Sequence, residues 1–367
     1  MKQRFIPFET VRGFMTEVMA KAGIPREDAA VVADVLLQAD KLGFDSHGVN
    51  RLKPIYLDRI KEGILDPVTR MEVVREGPTT AVVDGHNGMG HVIATRSMRL
   101  AVDKAREFGM GMVAVRNSTH YGFAGYYPLM AVKEDMIGIT GTNARPSIAP
   151  TFGVENMLGT NPLTFGMPTD EDFPFLLDCA TSITQRGKIE LYARESKPMP
   201  RGWVIDRQGE SKTDSVAVLE DLIAGRAALT PLGGVGEETG GYKGYGYATV
   251  VEILSAALQQ GAFMKMLLGV DNGRKVPYRL GHFFIAIDVN AFTEPAGFKK
   301  TTGDILRQLR AADKMPGQER IYTAGEKEHE VWLQRRDKGV PFNQALLDEF
   351  AGLCDEYGLD DFNPLFR

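Results

Sequence analysis

The sequence predicts an α/β fold, with a mixed sheet in the middle of the chain and helical N- and C-terminal portions. Two patterns predict it. At both ends apolar residues recur three and four positions apart, whereas the middle alternates such segments with short apolar runs bounded by glycine. The 367 residues are 43% hydrophobic and 25% charged, which is typical of a globular protein that buries a large core.

The first portion, residues 1–70, is predicted to be helical. Two amphipathic helices fill most of its first half, each followed by a glycine that ends the pattern. A third helix is predicted to begin at Asp45 or Ser46 as its N-cap and to bend at Pro54, because proline lacks the backbone N–H that a helix interior needs.

The second portion, residues 71–299, is predicted to be mixed α and β and to bind cofactor and substrate. Its predicted strands are MEVVREG and TTAVVDG (a hairpin), GMVAVRN, MIGITGTN, LTFGMPT, FPFLLDCA and HFFIAIDV. Its predicted helices are HVIATRSMRLAVDKAREFG, GFAGYYPLMAVKED, ITQRGKIELYARES and GYGYATVVEILSAALQQGA. The last portion, residues 300–367, returns to helical spacing and is predicted to pack against the first.

Charge and cysteine content exclude several classes of protein. The formal net charge of −5 comes from interleaved acidic and basic residues, which leaves no basic stripe for nucleic acid. No apolar run reaches the roughly 18 residues of a membrane span, and the N-terminus lacks a signal-peptide pattern, so we expect a cytoplasmic protein. Cys179 and Cys354 are too few for a disulfide framework or a thiolate metal site, and we expect buried thiols.

The common glycine signatures of nucleotide binding are missing. The nearest match to G-x-G-x-x-G is formed by Gly109, Gly111 and Ala114, but it precedes a strand and so does not present a phosphate to a helix N-terminus. The pattern G-x-x-x-x-G-K-[ST] is also absent. Neither a Rossmann fold nor a P-loop is predicted.

Two histidines lie among small polar residues, and the first is His47 in DSHGVNRL. In a helix it would share a face with Arg51, four residues further on. That pair would place a proton-transferring imidazole beside a guanidinium able to grip a carboxylate at two points. The simpler interpretation, a helix N-cap followed by an exposed arginine, stays open.

The second is His120 in RNSTHYGFAG, directly after the apolar strand GMVAVR. Loops at strand ends are where α/β enzymes place ligand contacts, and an imidazole there can exchange a hydroxyl proton near neutral pH. The alternative is a turn histidine bonded to its own backbone. No histidine has carboxylates at zinc-site spacing, so no metal is expected.

Three stretches are candidate phosphate cradles. In DCATSITQRGK, Asp178 ends a strand, and free N–H groups, hydroxyls such as that of Ser182, and Lys188 suit a pyrophosphate. The stretch PLGGVGEETGGYKGYGYA is dense in glycine and places Lys243 at the start of a helix. The third, TAGEKEHEVW, places Glu326 in a first helical turn. Capped helices and a flexible loop without a ligand are the competing interpretations.

Taken together and in order, these segments resemble the malate/L-lactate/L-sulfolactate dehydrogenase family, which also includes enzymes of the ureidoglycolate and 2,3-diketo-L-gulonate types. The matching residues span nearly the whole chain and are Ser46-His47-Gly48 with Arg51, Asn117-Ser118-Thr119-His120-Tyr121-Gly122, Gly159-Thr160-Asn161-Pro162, Asp178-Cys179-Ala180-Thr181-Ser182 with Gly187-Lys188, Gly241-Tyr242-Lys243-Gly244-Tyr245-Gly246, and Gly281-His282-Phe283. The resemblance implies an α/β fold peculiar to the family, without a Rossmann fold, and usually a homodimer.

The resemblance also implies a nicotinamide cofactor, NAD or NADP, and assigns candidate site residues. His47 and His120 are the candidate proton-transfer groups, and both are kept. The candidate substrate ligands are Ser46, Arg51 and Asn143. The candidate cofactor-binding residues are Thr160, Asn161, Asp178, Ala180, Thr181, Ser182, Lys188, Tyr242, Lys243, Gly244, Gly325 and Glu326.

Two departures from the family's pattern accompany the match. Tyr56 follows Arg51 at one residue more than the common spacing, so no role is carried over to Tyr56. Ala324 stands where the family often has proline, which weakens the assignment of the third cofactor stretch.

We therefore expect an NAD(P)-dependent oxidoreductase that interconverts a small (S)-2-hydroxy acid and its 2-oxo acid, with malate and oxaloacetate favoured over lactate or sulfolactate. A reductase of cyclic imino acids and a non-catalytic nucleotide-binding protein are the alternatives. The choice between NAD and NADP does not follow from the sequence, because Arg186 suits either a 2′-phosphate or a solvated helix surface.

Overall fold

The computed structural model describes residues 3–367, and a central sheet flanked by helices organises it. The strands are β1 (Arg4–Ile6), β2 (Glu72–Glu76), β3 (Thr80–Asp84), β4 (Met110–Ser118), β5 (Met136–Thr142), β6 (Leu163–Met167), β7 (Phe175–Cys179), β8 (Val204–Asp206), β9 (Ala227–Leu229), β10 (Val270–Asp271), β11 (Arg274–Lys275), β12 (Leu280–Asp288) and β13 (Val340–Phe342). The α-helices are α1 (Phe8–Lys21), α2 (Arg26–Lys41), α3 (Asp58–Lys61), α4 (Gly90–Phe108), α5 (Tyr126–Val132), α6 (Arg186–Arg194), α7 (Ser215–Ile223), α8 (Gly241–Ala256), α9 (Pro295–Ala311), α10 (Glu326–Arg335), α11 (Gln344–Tyr357) and α12 (Asn363–Phe366). Short 3-10 helices span Val49–Arg51, Met264–Leu267, Val289–Ala291 and Asp360–Phe362, and a π-helix spans Leu52–Leu57.

The central sheet has seven strands in the order β2-β3-β4-β12-β5-β6-β7. Strands β3 and β4 pair in parallel, and the other neighbouring strands pair antiparallel. The predicted hairpin of β2 and β3 is present, and the strand predicted from HFFIAIDV is β12 at the centre of the sheet. The expectation of an α/β fold with a mixed sheet is confirmed.

The two ends of the chain pack on each other. Strand β1 pairs antiparallel with β13, and helices α1, α2, α11 and α12 contribute to one apolar core. Phenylalanine rings from both ends meet in this core, with the centroids of Phe14 and Phe366 4.7 Å apart. Helix α9 lies against a different segment, where Arg307 pairs with Asp170. The boundaries proposed at residues 70 and 300 stay predictions.

Two further cores complete the fold. Helices α4 and α5 pack on β3, β4 and β12 through residues such as Met98, Tyr127 and Phe284. A separate core joins α6, α7, α8, β8 and β9 around Ile148 and Leu158. The loops between these cores carry most of the residues singled out by the sequence.

The segment predicted as a third helix is broken. Residues 45–48 form a turn, and a 3-10 helix, a π-helix and α3 follow in succession. The expected N-cap is wrong, because the Asp45 carboxylate pairs with Arg335 of α10 and the Ser46 hydroxyl contacts His47 instead. Pro54 lies inside the π-helix, so it does interrupt regular α-helical bonding.

The structure also bears on membrane-spanning helices, metal ligands and the two cysteines. No helix of residues 3–367 combines the length and the apolar character needed to cross a membrane. Over the same residues, histidine, cysteine and carboxylate side chains form no group suited to a metal ion. Cys354 is buried as expected, whereas Cys179 is half-buried.

Candidate active site

The turn that carries His47 connects α2 to the first 3-10 helix and is anchored by an aromatic contact. Phe44 packs on Phe123 with ring centroids 4.5 Å apart, which joins this turn to the loop that follows His120. Within the turn, the His47 amide donates to Phe44 O at 2.8 Å, and the Ser46 hydroxyl lies 2.8 Å from His47 Nδ1. The imidazole is therefore held at Nδ1, which leaves Nε2 for a ligand.

Arg51 folds back over the same turn. Its Nε donates to the carbonyl oxygen of Ser46, and its charge contributes to lowering the pKa of His47. The guanidinium therefore lies near the imidazole, although the segment is not the continuous helix that the sequence predicted. With Nε occupied, the terminal N–H groups of the guanidinium remain for a carboxylate.

His120 lies in the loop after β4, and this loop is fastened to the N-terminus of α4. Thr119 Oγ1 accepts from the Gly90 N–H at 2.9 Å and donates to Gly88 O at 2.7 Å. A Cβ atom on Gly90 would clash with the carbonyl oxygen of Thr119, so the close approach of the two backbones requires glycine. The position of His120 is thus set by backbone contacts.

The Nδ1 atom of His120 has two neighbours. The Gly122 amide donates to it at 3.3 Å, and the Tyr56 hydroxyl lies 2.7 Å away. Because an amide N–H only donates, Nδ1 is the acceptor, and the proton of the neutral ring is on Nε2. The contacts therefore select the tautomer whose Nε2–H can donate to a substrate oxygen.

His47 and His120 form a stacked pair. Their ring centroids are 5.9 Å apart, and their planes differ by 18°. Burial, assisted by the charge of Arg51, lowers the pKa of His47 to about 4, and burial with the neighbouring His47 lowers the pKa of His120 well below its ordinary value. Both rings are therefore neutral near pH 7. Repulsion between two imidazolium ions also disfavours protonation of both rings at once, so at most one ring of the pair is charged.

Tyr56 contacts His120, although the sequence carried no role over to it. The π-helix turn takes one residue more than an α-helical turn, as the bond from the Asp58 N–H to Lys53 O shows. This extra residue accommodates the longer spacing from Arg51, and the fully buried side chain of Tyr56 reaches His120. Burial raises the pKa of Tyr56, so its hydroxyl stays protonated.

A cleft beside His47 gathers several of the predicted residues. Its lining includes Ser46, His47, Thr160, Asp178 and Ala180, together with Phe44, Gln185 and the loop Gly122–Ala124. The Asp178 carboxylate accepts from the Gly125 N–H at 2.7 Å and from the Thr164 hydroxyl at 3.2 Å. Burial nevertheless raises the pKa of Asp178 to about 6, so this group titrates close to neutral pH.

Three predicted cofactor residues use their side chains to hold the loops of the cleft. Thr181 Oγ1 donates to Asn161 O at 3.0 Å, and Ser182 Oγ donates to Thr184 O at 2.7 Å. The side-chain amide of Asn161 donates to the Glu252 carboxylate at 2.7 Å. For Thr181, Ser182 and Asn161, contacts with a cofactor would therefore rest on backbone groups.

The loop after Asp178 offers free donors to a phosphate group. Thr184 Oγ1 is buried without a hydrogen-bond partner among residues 3–367, and no described side chain caps the N-terminus of α6. A buried hydroxyl without a partner is unfavourable, and a phosphate would satisfy it together with the first amides of α6. This loop therefore fits a dinucleotide. Lys188 lies further along α6, over the ring of Trp203.

The glycine-rich stretch ends at the N-terminus of α8. Tyr242 and Lys243 are exposed in its first turn, with the Lys243 ammonium 5.7 Å from the centroid of the Tyr242 ring. Gly244 faces inward, and a Cβ atom there would clash with the backbone of Leu232. Glycine is thus needed for packing at Gly244, while the two exposed side chains lie outside the lining of the cleft.

Further predicted residues lie away from the cleft. Gly325 lines a separate apolar cavity between α2, α5 and α10, and the buried carboxylate of Glu326 is paired with Arg320. Asn143 is fully buried, and its side-chain oxygen accepts from the Gly281 N–H at 2.8 Å. The structure does not bring Asn143, Gly325 or Glu326 to the cleft of His47, and their roles stay predictions.

The sequence assigned no role to Tyr56, which contacts His120, and none to Phe44 and Gln185, which are parts of the cleft wall. Phe44 was visible only as an apolar residue after a helix-ending glycine, and no spacing marked it as a contact of the His120 loop. Gln185 stands inside the stretch DCATSITQRGK, so its position in a predicted phosphate cradle was the available signal.

The chain is similar to known dehydrogenases over most of its length. A model of the malate/L-lactate dehydrogenase family matches residues 6–351. A malate dehydrogenase of Pyrococcus horikoshii is 42% identical over 355 residues, covering 97% of this chain and 96% of the relative. An L-sulfolactate dehydrogenase of Methanocaldococcus jannaschii is 36% identical over 354 residues, covering 96% and 97%. The crystal structure of malate dehydrogenase from Entamoeba histolytica superposes with a TM-score of 0.93 at 45% identity, covering 97% and 99%.

The matches support a nicotinamide cofactor without choosing one, because relatives named for NAD(+) and for NADP(+) both occur. They also bear out the dehydrogenase activity that the sequence predicted, on the CH–OH group of a donor. On both the sequence match and the structural likeness, the chain belongs to the malate/L-lactate dehydrogenase family.

Proposed function

We propose that this dehydrogenase interconverts a small (S)-2-hydroxy acid and its 2-oxo acid, with malate and oxaloacetate as the preferred pair. The observation that carries the proposal is the stacked pair of His47 and His120 beside the guanidinium of Arg51, at the cleft lined by Asp178. A 2-hydroxy acid brings to such a site a carboxylate and, on the next carbon, the hydroxyl group to be oxidised. The relatives named malate dehydrogenase support this substrate.

In this proposal Arg51 binds the carboxylate next to the reacting carbon. Its Nε bond to Ser46 O orients the guanidinium and leaves the terminal nitrogens for a two-point contact. The exposed hydroxyl of Ser46, beside the ring of His47, is a further donor. Holding the carboxylate in this way would set the reacting carbon in front of the histidine pair, which contributes through proximity and orientation.

The histidine pair exchanges the hydroxyl proton. Both rings are neutral near pH 7, so one of them accepts the proton during oxidation and returns it to the substrate oxygen during reduction. Tyr56 orients His120 and keeps its own proton, because its buried hydroxyl ionises only far above neutral pH. A nicotinamide, when bound, would supply the chemistry of hydride transfer. Asp178, Ala180 and the loop that leads to α6 are the residues that would hold it.

We also propose that the protein is a homodimer built on α8. This helix and the turn after it expose Tyr247, Val250, Ile253 and Leu258, each between 46% and 57% accessible. A helix that is apolar on all sides is normally covered, and a second copy presenting the same face would cover this stripe around a two-fold axis. The interface would bring a second copy close to the first turn of α8, which holds the predicted cofactor residues Tyr242–Gly244.

A substrate panel with both nucleotides tests the proposed reaction. Malate, lactate, sulfolactate and ureidoglycolate are assayed by nucleotide reduction, and oxaloacetate, pyruvate and a cyclic imino acid by nucleotide oxidation. We expect the highest kcat/KM for oxaloacetate and malate. Activity on the cyclic imino acid, with none on any 2-oxo acid, would overturn the proposal in favour of an imine reductase.

Variants of the two histidines test the proton-transfer step. His47→Ala and His120→Ala are each expected to lower kcat by about 10²- to 10⁴-fold, the usual contribution of a general acid–base group, while the Kd for NAD(P)H changes little. His86→Ala, at an exposed histidine outside the cleft, is the control. Unchanged turnover in one of the two variants removes that histidine from the step.

A further inference from the structure

A second cavity adjoins the cleft and contains two arginines. Its lining includes Arg145, Arg186 and Thr160, together with apolar residues of α7 and β9. Thr160 also lines the catalytic cleft, and Gln185 of that cleft directly precedes Arg186 in the chain. The arginine-lined cavity therefore begins where the wall of the catalytic cleft ends.

Arg145 stands on a loop that is hydrogen-bonded on both sides of it. The preceding amide, of Ala144, donates to the side chain of the buried Asn161 at 3.1 Å, and the Ser147 amide donates to Leu158 O at 2.8 Å. The Asn161 side chain is itself bonded to α8. With its neighbours hydrogen-bonded on both sides, the loop holds Arg145 as an exposed residue in the lining of the cavity.

The Arg145 guanidinium has no acidic partner. Arg186 is paired with Glu190 one helical turn away, at 3.0 Å, whereas no carboxylate among residues 3–367 lies within ion-pair distance of Arg145. An exposed arginine that lines a cavity and has no internal counter-ion has donors for an anionic ligand. Arg51, by contrast, is already committed to the turn that carries His47.

We propose that Arg145 binds the second acid group of the substrate, a carboxylate or a sulfonate on the carbon next to the reacting one, with Arg186 adding positive charge. This inference rests on the proposed function and adds to it the residue that selects a substrate with two acid groups. Arg51 then binds the group that all 2-hydroxy acids share, and Arg145 distinguishes diacids from monoacids such as lactate. A monoacid gains nothing from Arg145, because it leaves the guanidinium without a partner.

The test compares oxaloacetate with pyruvate in three variants. In Arg145→Gln, we expect KM for oxaloacetate to rise by about 10- to 100-fold, as loss of one charge-assisted contact implies, while KM for pyruvate stays within about 2-fold. Arg51→Lys should instead raise KM for both substrates, because both carry the carboxylate next to the reacting carbon. Arg75→Gln, at an exposed arginine on the edge strand β2, is the matched control and should change neither.

Three outcomes would overturn the proposal. An equal rise of KM for both 2-oxo acids in Arg145→Gln would make Arg145 a general contact, and no rise for either would exclude it as a ligand. A rise of KM for NADPH in Arg145→Gln, with KM for NADH unaffected, would assign the cavity to the 2′-phosphate of the cofactor. If the wild-type protein reduces no 2-oxo acid at all, the proposed function fails, and this result is distinct from failure of the Arg145 assignment.

Discussion

Beneath the histidine-bearing turn lies a buried carboxyl group, that of Asp40. Its Oδ2 accepts from the Val49 N–H at 2.8 Å, and a Cβ atom on Gly48 would clash with it, so the turn passes directly over the carboxyl. Burial raises the pKa of Asp40 to about 8. In the sequence Asp40 is one polar residue near the end of α2, and its role as a support for Ser46–Val49 depends on a backbone contact that spacing does not reveal.

The effect of pH on stability tests the state of Asp40. A raised pKa means that the contribution of the protonated carboxyl is full below the unfolded pKa of 3.8 and is lost as pH rises through about 8. Asp40→Asn keeps an acceptor for the Val49 N–H and does not titrate. We therefore expect Tm of the variant, relative to wild type, to rise by a few degrees between about pH 5 and about pH 9 in a thermal-shift series.

Asp337→Asn, at an exposed aspartate, is the control for the pH series and should show a difference that does not depend on pH. A pH-independent difference for Asp40→Asn as well would mean that Asp40 is ionised in the folded protein over the whole range.

At the scale of single elements, the π-helix Leu52–Leu57 decides where Tyr56 lies. In a π-turn the fifth residue takes the place that the fourth takes in an α-turn, because the bonds run from i to i+5 instead of i+4. Tyr56, five residues after Arg51, therefore reaches His120 even though Arg51 stays on the histidine turn. The extra residue between Arg51 and Tyr56 in the sequence is therefore the residue that the π-helix accommodates.

Removing the inserted residue tests this equivalence. Deletion of Lys53 should convert the π-turn into an α-turn and leave Tyr56 beside His120, so we expect kcat/KM within about 3-fold of wild type; only a half-exposed ion pair with Asp58 is lost, and such pairs contribute little. Insertion of alanine after Lys53 should rotate Tyr56 by about 100° and lower kcat/KM by about 100-fold or more.

Circular dichroism and Tm of both Lys53 variants would show whether each folds. The role given to the π-helix would be contradicted if both variants fold, the deletion variant has lost activity and the insertion variant has kept it.

At the scale of the whole molecule, the site joins segments that are far apart in the chain. His47 comes from the helical N-terminal region, His120 from the end of β4, and Asp178 from the end of β7, at the far edge of the sheet. The contact between Phe44 and Phe123 closes the N-terminal turn onto the sheet. The cleft therefore depends on how the cores pack.

Two matched isoleucine variants test the proposed dimer. Ile253 of α8 and Ile305 of α9 are 53% and 54% exposed. We expect Ile253→Asp to weaken self-association by about 100-fold or more in analytical ultracentrifugation, because a carboxylate would be buried unpaired in an apolar interface. Ile305→Asp should leave association unchanged. Dissociation by Ile305→Asp alone would move the interface to α9, and a wild-type monomer would exclude the dimer.

The elements, the mixed sheet and the family could be derived from the sequence. Apolar periodicity and glycine boundaries are local properties, so the strands and helices of the sheet were predicted at their places. One exception is the segment after Asp45, where one inserted residue and Pro54 change the helix type. The sequence also did not predict the short strands β1, β8, β9 and β13 or helix α7. The sequence also indicated three site candidates, His47, Arg51 and His120. Small polar residues beside glycine at the ends of elements form a local pattern that can be recognised without the structure.

Which candidates meet was decided by the tertiary structure alone. Thr160 and Asp178 reach the cleft of His47, whereas Asn143 turns inward to bond the backbone of a distant strand. Tyr56, to which the sequence assigned no role because of its spacing from Arg51, contacts His120. The physical reason is that a polar side chain is free for a ligand only if no distant segment supplies it with a partner, and those partners are fixed when the cores pack.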